Sequence, residues 1–100
     1  MTHAKFTWPL RCRILEYASH RESFTIDDLL RDLRDEYAAE RQFTFRILSQ
    51  HCDSMLASGM IEQQNVDVSP EGALVFRYRL TDYGRERLVY LPDAWKGGRA

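Results

Sequence analysis

The stretch FRILSQHCDSMLASGMI, residues 45–61, decides the fold. Its apolar residues recur at the spacing of one helix face, which is typical of an amphipathic helix; they are Phe45, Leu48, Cys52, Met55 and Leu56. The opposite face is polar and carries Arg46, Ser49, Gln50 and Asp53. Gly59 follows the last apolar residue, where a left-handed conformation favours glycine. The stretch therefore predicts a helix that stops at Gly59 and passes directly into a strand.

After Gly59 the period changes from helical to alternating. Residues 60–68 are rich in β-formers and amides, and residues 74–80 alternate strictly. One face of this alternation holds Leu74, Phe76, Tyr78 and Leu80, and the other holds Val75, Arg77 and Arg79. Between the two runs, Ser69-Pro70-Glu71-Gly72 has the proline and glycine of a type I turn. We therefore predict a β-hairpin, followed by a short helix from Asp82 to Tyr90 that Thr81 caps.

A first helix is predicted near the amino terminus. Thr7 is its cap and Pro9 lies in the first turn, where a proline costs no hydrogen bond. The core-facing residues are Leu10, Ile14, Tyr17 and Ala18, and those expected to face solvent are Arg11, Arg13 and Glu16. The helix should end between Ser19 and Arg21.

A second helix is predicted from Ile26 to about residue 38. Thr25 is its cap, and Asp28 three residues later resembles the partner of a capping box. Its buried stripe is Ile26, Leu29, Leu30, Leu33 and Tyr37. Residues 23–25 before it form a minimal strand.

The connection over residues 38–44 has two readings. Either the second helix runs on and turns sharply, or the third helix begins early, near Arg41, since this segment contains no glycine or proline. Thr44 is also a suitable cap for a helix that begins at Phe45.

The chain length and the order of the predicted elements indicate one domain of α+β class, mainly α, over residues 8–91. We expect a flexible arm before it (1–7) and a flexible tail after it (92–100). No apolar run approaches the roughly 20 residues that a membrane-spanning helix needs. The amino terminus has no apolar segment of a signal peptide. Cys12 and Cys52 match no paired-cysteine pattern, so we expect two buried free thiols in a reducing cytoplasm.

The charge pattern argues against a strongly basic, non-specific nucleic-acid binder. The formal net charge is −1 and the pI is near 6.3. Acids concentrate in residues 23–40, against two arginines; they are Asp27, Asp28, Asp32, Asp35, Glu36 and Glu40. All but two (Lys5 and Lys96) of the 14 cationic residues are arginine, whose planar fork suits phosphate and guanine.

This order of elements resembles the winged helix-turn-helix family, over about residues 8–90. The matching segments are FTIDDLLRDL (24–33), ILSQHCDSMLASGMIE (47–62) and YRLTDYGRERL (78–88). The last is similar to the ending of MarR-like and PadR-like bacterial regulators. The resemblance implies a three-helix core with a β-hairpin wing and a short carboxy-terminal helix.

In that family the third helix enters the major groove of DNA and the wing touches phosphates. The resemblance therefore implies that bases are read by Arg46, Ile47, Ser49 and Gln50, joined by Gln42 and Phe43 if the third helix begins early, and that phosphates are contacted by Arg77 and Arg79. Arg46 would bind guanine and Gln50 adenine. The wing tip departs from the pattern, because it holds Asp67 and Glu71 and no cation.

Simpler roles exist for each of these residues. Arg46 and Gln50 could form an ordinary solvated face, and Ile47 could pack on the second helix. Arg77 and Arg79 could merely protect an edge strand from pairing. His51 beside Cys52 suggests a metal only superficially, since no further ligand lies at a zinc spacing.

Catalysis and cofactors have no support in the sequence. It lacks a glycine-rich phosphate loop, GxSxG and HExxH, and we expect no enzyme, no metal and no cofactor. Apolar residues near the chain ends predict a homodimer interface, as is common in such regulators; they are Trp8, Tyr83, Leu88, Tyr90 and Leu91.

Two functions follow as hypotheses. The first is a cytoplasmic transcriptional regulator that binds duplex DNA in a sequence-specific manner as a homodimer. The second is a winged helix that binds a protein partner, as an adaptor or anti-regulator, and does not bind DNA. The acidic second helix and wing tip favour the second.

Overall fold

The computed structural model describes residues 9–41 and 43–90, with the backbone alone for Tyr90. Its elements are α1 (Leu10–Ser19), α2 (Ile26–Leu33) with a 3₁₀ turn (Arg34–Tyr37), α3 (Phe45–Ala57), β1 (Ile61–Val68), β2 (Leu74–Leu80), and α4 (Asp82–Arg87) with a 3₁₀ turn (Leu88–Tyr90). In this part of the chain the fold is α+β and mainly helical, with one antiparallel hairpin. The predicted arm and tail lie outside the described residues.

One apolar core joins α1, α2 and α3 to the base of the hairpin, and Leu88 after α4 packs against it. Its buried side chains are Ile14, Leu15, Tyr17, Ala18, Phe24, Ile26, Leu29, Leu33, Tyr37, Leu48, Cys52, Met55, Ile61, Tyr78 and Leu80. Most of the predicted stripes of α1, α2 and α3 are in this list, and Leu10, Leu30 and Leu56 are half-buried and pack against this core. Phe45 is an exception, because it stands at the first position of α3 and is 53% exposed. Cys12 is half-buried rather than buried.

α1 corrects two predictions. It begins at Leu10 with Pro9 as its N-cap rather than inside the first turn, and the predicted cap, Thr7, lies outside the described residues. Arg13 and Glu16, expected in solvent, are only 6% and 8% exposed. The helical wheel of α1 alone cannot show that another element packs against the face that carries Arg13 and Glu16.

That second surface is the 3₁₀ turn after α2. Glu36 accepts two hydrogen bonds from Arg13, at 2.8 Å from Nε and 2.9 Å from Nη2. Arg13 Nη1 donates to Glu16 Oε1 at 2.8 Å, and Glu16 Oε2 lies 2.7 Å from Nε2 of His20. The buried charges of α1 are therefore paired, and they tie α1 to the end of α2.

α2 begins as predicted. The Asp28 amide donates to Thr25 Oγ1 at 3.1 Å, and the Thr25 amide donates to Asp28 Oδ2 at 2.9 Å, which completes a capping box. The minimal strand before it is one bridge, in which Phe24 and Tyr78 exchange two backbone hydrogen bonds of 2.9 and 2.8 Å.

α3 begins at Phe45, so the early start near Arg41 is wrong. The Ile47 amide donates to Thr44 Oγ1 at 3.2 Å, which confirms Thr44 as the cap. In the connection, the ring of Phe43 stacks on that of Tyr37, with centroids 5.5 Å apart. This stacking holds Phe43 against the end of α2, after a turn that a 2.9 Å bond from the Glu40 amide to the Tyr37 carbonyl closes.

The end of α3 is fixed by Gly59, as predicted. Gly59 has a φ of +82°, and the amide of Met60 donates to the Met55 carbonyl at 2.9 Å. Together with a 3.1 Å bond from the Gly59 amide to the Leu56 carbonyl, this forms a Schellman motif. The chain therefore enters β1 two residues later.

The hairpin is closed by the predicted turn, with a bond of 2.9 Å from the Gly72 amide to the Ser69 carbonyl. The register pairs Ile61 with Leu80 at its base and Val68 with Leu74 near its tip, and it shifts between Gln63 and Asn65. Such a shift is a β-bulge, in which Gln64 is the extra residue.

Candidate nucleic-acid interface

The outer face of α3 brings together two of the predicted base-reading residues. Arg46 and Gln50 are both exposed, and they are four residues apart on one helix face. Neither forms an ion pair or a side-chain hydrogen bond with any described residue. Their donors are therefore available to a ligand.

The other predicted base readers are less available. Ser49 and Ile47 are half-buried, and Gln42 lies outside the described residues. The exposed surface of α3 thus consists mainly of Arg46, Gln50 and the ring of Phe45, with Asp53 exposed further along the helix.

The two arginines of the hairpin are held by acids of the opposite strand. Arg79 Nε lies 3.1 Å from Glu62 Oε2, directly across the register, and Arg77 Nε lies 3.6 Å from Asp67 Oδ2. Arg77 also donates to Ser23 Oγ at 3.3 Å. Exposed pairs of this kind contribute only about 0–1 kcal/mol, so a phosphate can replace the carboxylate.

The acidic surface of α2 is largely matched by cations. Asp32 accepts from Arg31 Nε at 2.8 Å, from Arg21 Nη1 at 3.0 Å and from the Tyr17 hydroxyl at 2.5 Å. These hydrogen bonds hold the pKa of Asp32 well below its usual range. Arg21 comes from the end of α1, a partner that sequence spacing does not indicate.

The distal half of the hairpin exposes an unexpected apolar face. Beyond the bulge, Val66 pairs with Phe76 and Val68 with Leu74, and these four side chains are 41–67% exposed. Phe45 of α3 and Ile26 of α2 line a crevice with Leu74 and Phe76. We name Phe45, Val66, Val68, Leu74 and Phe76 the apolar hairpin face. The alternating sequence of β2 predicts which side chains share a face. It does not predict that burial ends at Tyr78, so that Phe76 and Leu74 on the same face are exposed.

The predicted dimer residues are only partly described. Tyr83 is 48% exposed, whereas Leu88 is half-buried and packs against the core of its own chain. Trp8 and Leu91 lie outside the described residues, as does the side chain of Tyr90. The dimer interface stays a prediction.

The thiol of Cys52 lies in the core, where burial raises its pKa to about 12. Burial also raises the pKa of Cys12 and lowers that of His51. A thiol with a raised pKa is a poor nucleophile at neutral pH, so neither cysteine has the character of a redox sensor.

No protein-family model, curated protein or solved structure matches this chain. No helix in the described part of the chain has the length and apolar character needed to cross a membrane.

Proposed function

We propose that this chain is a winged helix domain that binds duplex DNA and regulates transcription, with α3 as its recognition helix and the hairpin as its wing. The observation that carries the proposal is the pair of Arg46 and Gln50. Both are exposed, lie one helical turn apart and have no partner among the described residues. These are the residue types that read guanine and adenine edges in the major groove.

The wing has a smaller part in this proposal. Arg77 and Arg79 would exchange their carboxylate partners for DNA phosphates when the domain docks. Because those carboxylates remain close by, the wing contributes less to affinity than an unpaired basic wing would. A homodimer that uses the region of Tyr83 would place two α3 helices on successive major grooves and offset this weakness.

A double substitution tests the reading face. Arg46→Ala with Gln50→Ala should weaken binding to a selected site at least tenfold, because each bidentate base contact contributes about 1–3 kcal/mol. The matched control is Arg34→Ala, which removes an exposed arginine from the 3₁₀ turn after α2. An unchanged affinity in the double variant would show that α3 does not read the bases.

The apolar hairpin face favours a second candidate, in which the domain binds a protein partner instead of DNA. Isolated exposed apolar residues are ordinary, but five on one contiguous surface mark an interaction site. Substituting Val68→Ser and Leu74→Ser, both more than 60% exposed, should abolish such binding without harm to the core. Ala73→Ser is the control at the hairpin tip.

The salt dependence of DNA binding distinguishes the two candidate functions. DNA binding should weaken steeply with salt, because each phosphate contact releases a counterion. A protein adaptor should show no retention on DNA even at low salt, and its partner should be lost in the Val68→Ser, Leu74→Ser variant.

A further inference from the structure

A polar cleft of about 350 Å³ opens on the hairpin side of α1 and α4, and none of its wall comes from α3. It is lined by Arg21, Glu22, Gln64, Arg79, Leu80 and Arg85. We infer that this cleft binds a phosphate group. The inference shares Arg79 with the wing of the proposed function but goes beyond it and does not depend on it, because Arg21, Gln64 and Arg85 have no part in that proposal.

Arginines dominate the lining of the cleft. Three guanidinium groups and one carboxylate line it, and two of the arginines also pair with carboxylates outside the lining, Arg21 with Asp32 and Arg79 with Glu62. Arg85 is exposed and forms no ion pair or side-chain hydrogen bond with any described residue. A concave site that gathers cations raises the local concentration of an anion.

The other two arginines are held in place by contacts that leave donors free. Arg21 Nη1 lies 3.0 Å from Asp32 and 2.6 Å from the Tyr17 hydroxyl, and its guanidinium stacks 4.9 Å from the centre of the Tyr17 ring. Arg79 uses Nε toward Glu62. Since a guanidinium has five N–H donors, each arginine keeps donors for an oxyanion while its position is fixed.

The β-bulge supplies a neutral donor. Gln63 and Asn65 both have partners in β2, but Gln64 has none. A bulge commonly re-aims a side chain toward a site. Here Gln64 lines the cleft with the arginines, and its amide can donate to a phosphate oxygen. Without such a role the bulge would only weaken the hairpin, because it interrupts the backbone pairing between β1 and β2.

The phosphate could belong to a small phosphorylated molecule or to a nucleic-acid backbone. The chemistry of recognition is the same in both, and a titration with two arms separates them. In the first arm, the ¹⁵N-labelled full chain is titrated with inorganic phosphate at constant ionic strength, with chloride as the reference. Saturable shifts at the backbone amides of Gln64, Arg79 and Arg85 are expected.

Three variants make this arm specific. Arg85→Ala should weaken phosphate binding at least tenfold, Glu22→Gln should strengthen it a few-fold by removing the opposing carboxylate, and Arg34→Ala should match the parent. Thermal unfolding verifies that each variant is folded. Shifts that do not saturate, or that chloride reproduces, would count against a free phosphate ligand.

In the second arm, the same variants bind random-sequence duplex DNA over a range of salt. If the phosphate is that of a backbone, Arg85→Ala should reduce the salt slope by about one. A tenfold loss of phosphate affinity in the first arm, or a salt slope reduced by about one in the second, supports the inference and identifies the source of the phosphate. If Arg85→Ala equals the parent in both arms, including the case in which the parent binds neither ligand, the inference is wrong.

Discussion

At the scale of single residues, the buried pairing of Arg13 distinguishes this domain from a simple stack of amphipathic helices. Arg13 is 6% exposed, and its guanidinium bridges Glu16 of its own helix and Glu36 of the 3₁₀ turn after α2. Removing a partner from a buried ion pair costs more than the pair contributes, because the remaining charge has no counterion.

We therefore expect Arg13→Ala to lower the free energy of unfolding by about 2–3 kcal/mol. The value lies below that for a fully buried pair, because the Glu36 side chain is 40% exposed and can return to water. Urea unfolding followed by circular dichroism measures it. Arg34→Ala should leave the midpoint close to that of the parent, and equal midpoints for both variants would show that the Arg13 pairs contribute nothing.

A second prediction at this scale concerns how Asp32 contributes to stability at acidic pH. The pKa of Asp32 is lowered by its hydrogen bonds to Arg31 and Tyr17, so its contribution to stability is complete above the pKa of an unfolded aspartate, about 3.9. It is lost as the pH falls through the lower pKa of the folded state. Asp32→Asn should therefore be less stable than the parent at pH 7, and the difference should narrow from about pH 4 downward. A constant difference from pH 7 to pH 2 would contradict this assignment.

At the scale of elements, the junction between α3, β1 and α4 depends on backbone contacts. Thr81 Oγ1 donates to the Gly59 carbonyl at 2.6 Å and accepts from the Gly84 amide at 2.9 Å. A Cβ on Gly84 would lie 2.1 Å from the Met60 carbonyl oxygen. The end of α3, the start of the hairpin and the first turn of α4 are thus held as one unit.

Among the three glycines that the structure describes, Gly84→Ala should be the most destabilising substitution, because the backbone of Met60 must move. Gly59→Ala should cost about 1–2 kcal/mol for its left-handed conformation. Gly72→Ala carries the same left-handed strain, at a φ of +87°, but no atom lies within 4 Å of the added Cβ, so the effect should stay at the hairpin tip. Thermal unfolding of the three variants gives the order, and a Gly84→Ala variant as stable as Gly72→Ala would contradict the packing of this junction.

The elements that sequence could predict are those fixed by local chemistry. Thr25 with Asp28, Thr44, Gly59 and the turn ending at Gly72 each act within a few residues, so their patterns are readable. The burial of Arg13, the partnership of Arg21 with Asp32 and the bulge at Gln64 depend on neighbours from distant segments. For the same reason the sequence indicated Arg46 and Gln50 for the reading face but neither the apolar hairpin face nor the phosphate cleft.

At the scale of the whole molecule, the net charge of −1 conceals an uneven distribution. Asp28 and Asp32 of α2 are paired with Arg31 and Arg21, and the arginines of the hairpin are paired with Glu62 and Asp67. Arg46, at the exposed start of α3, has no partner within residues 9–41 and 43–90. Binding to DNA would therefore depend on how readily the hairpin pairs exchange.

The exchange of the hairpin carboxylates for DNA phosphates can be measured with two charge-removing variants. Glu62→Gln frees Arg79 from its partner and should raise the affinity for duplex DNA several-fold with a steeper salt dependence. Glu71→Gln removes the same charge at the hairpin tip, where the carboxylate pairs with no cation among the described residues, and should have a smaller effect. Equal effects of the two variants would mean that only net charge matters and that Arg79 does not touch phosphate.

The most direct test of the central proposal is selection from random-sequence duplex DNA, at low and then at physiological salt, with the parent chain and the Arg46→Ala, Gln50→Ala variant side by side. We predict that the parent enriches a motif with two-fold symmetry, whose half-site spacing reports the dimer, and that the double variant does not. No enrichment by the parent at low salt, or the same motif with both proteins, would contradict the proposal that α3 reads DNA.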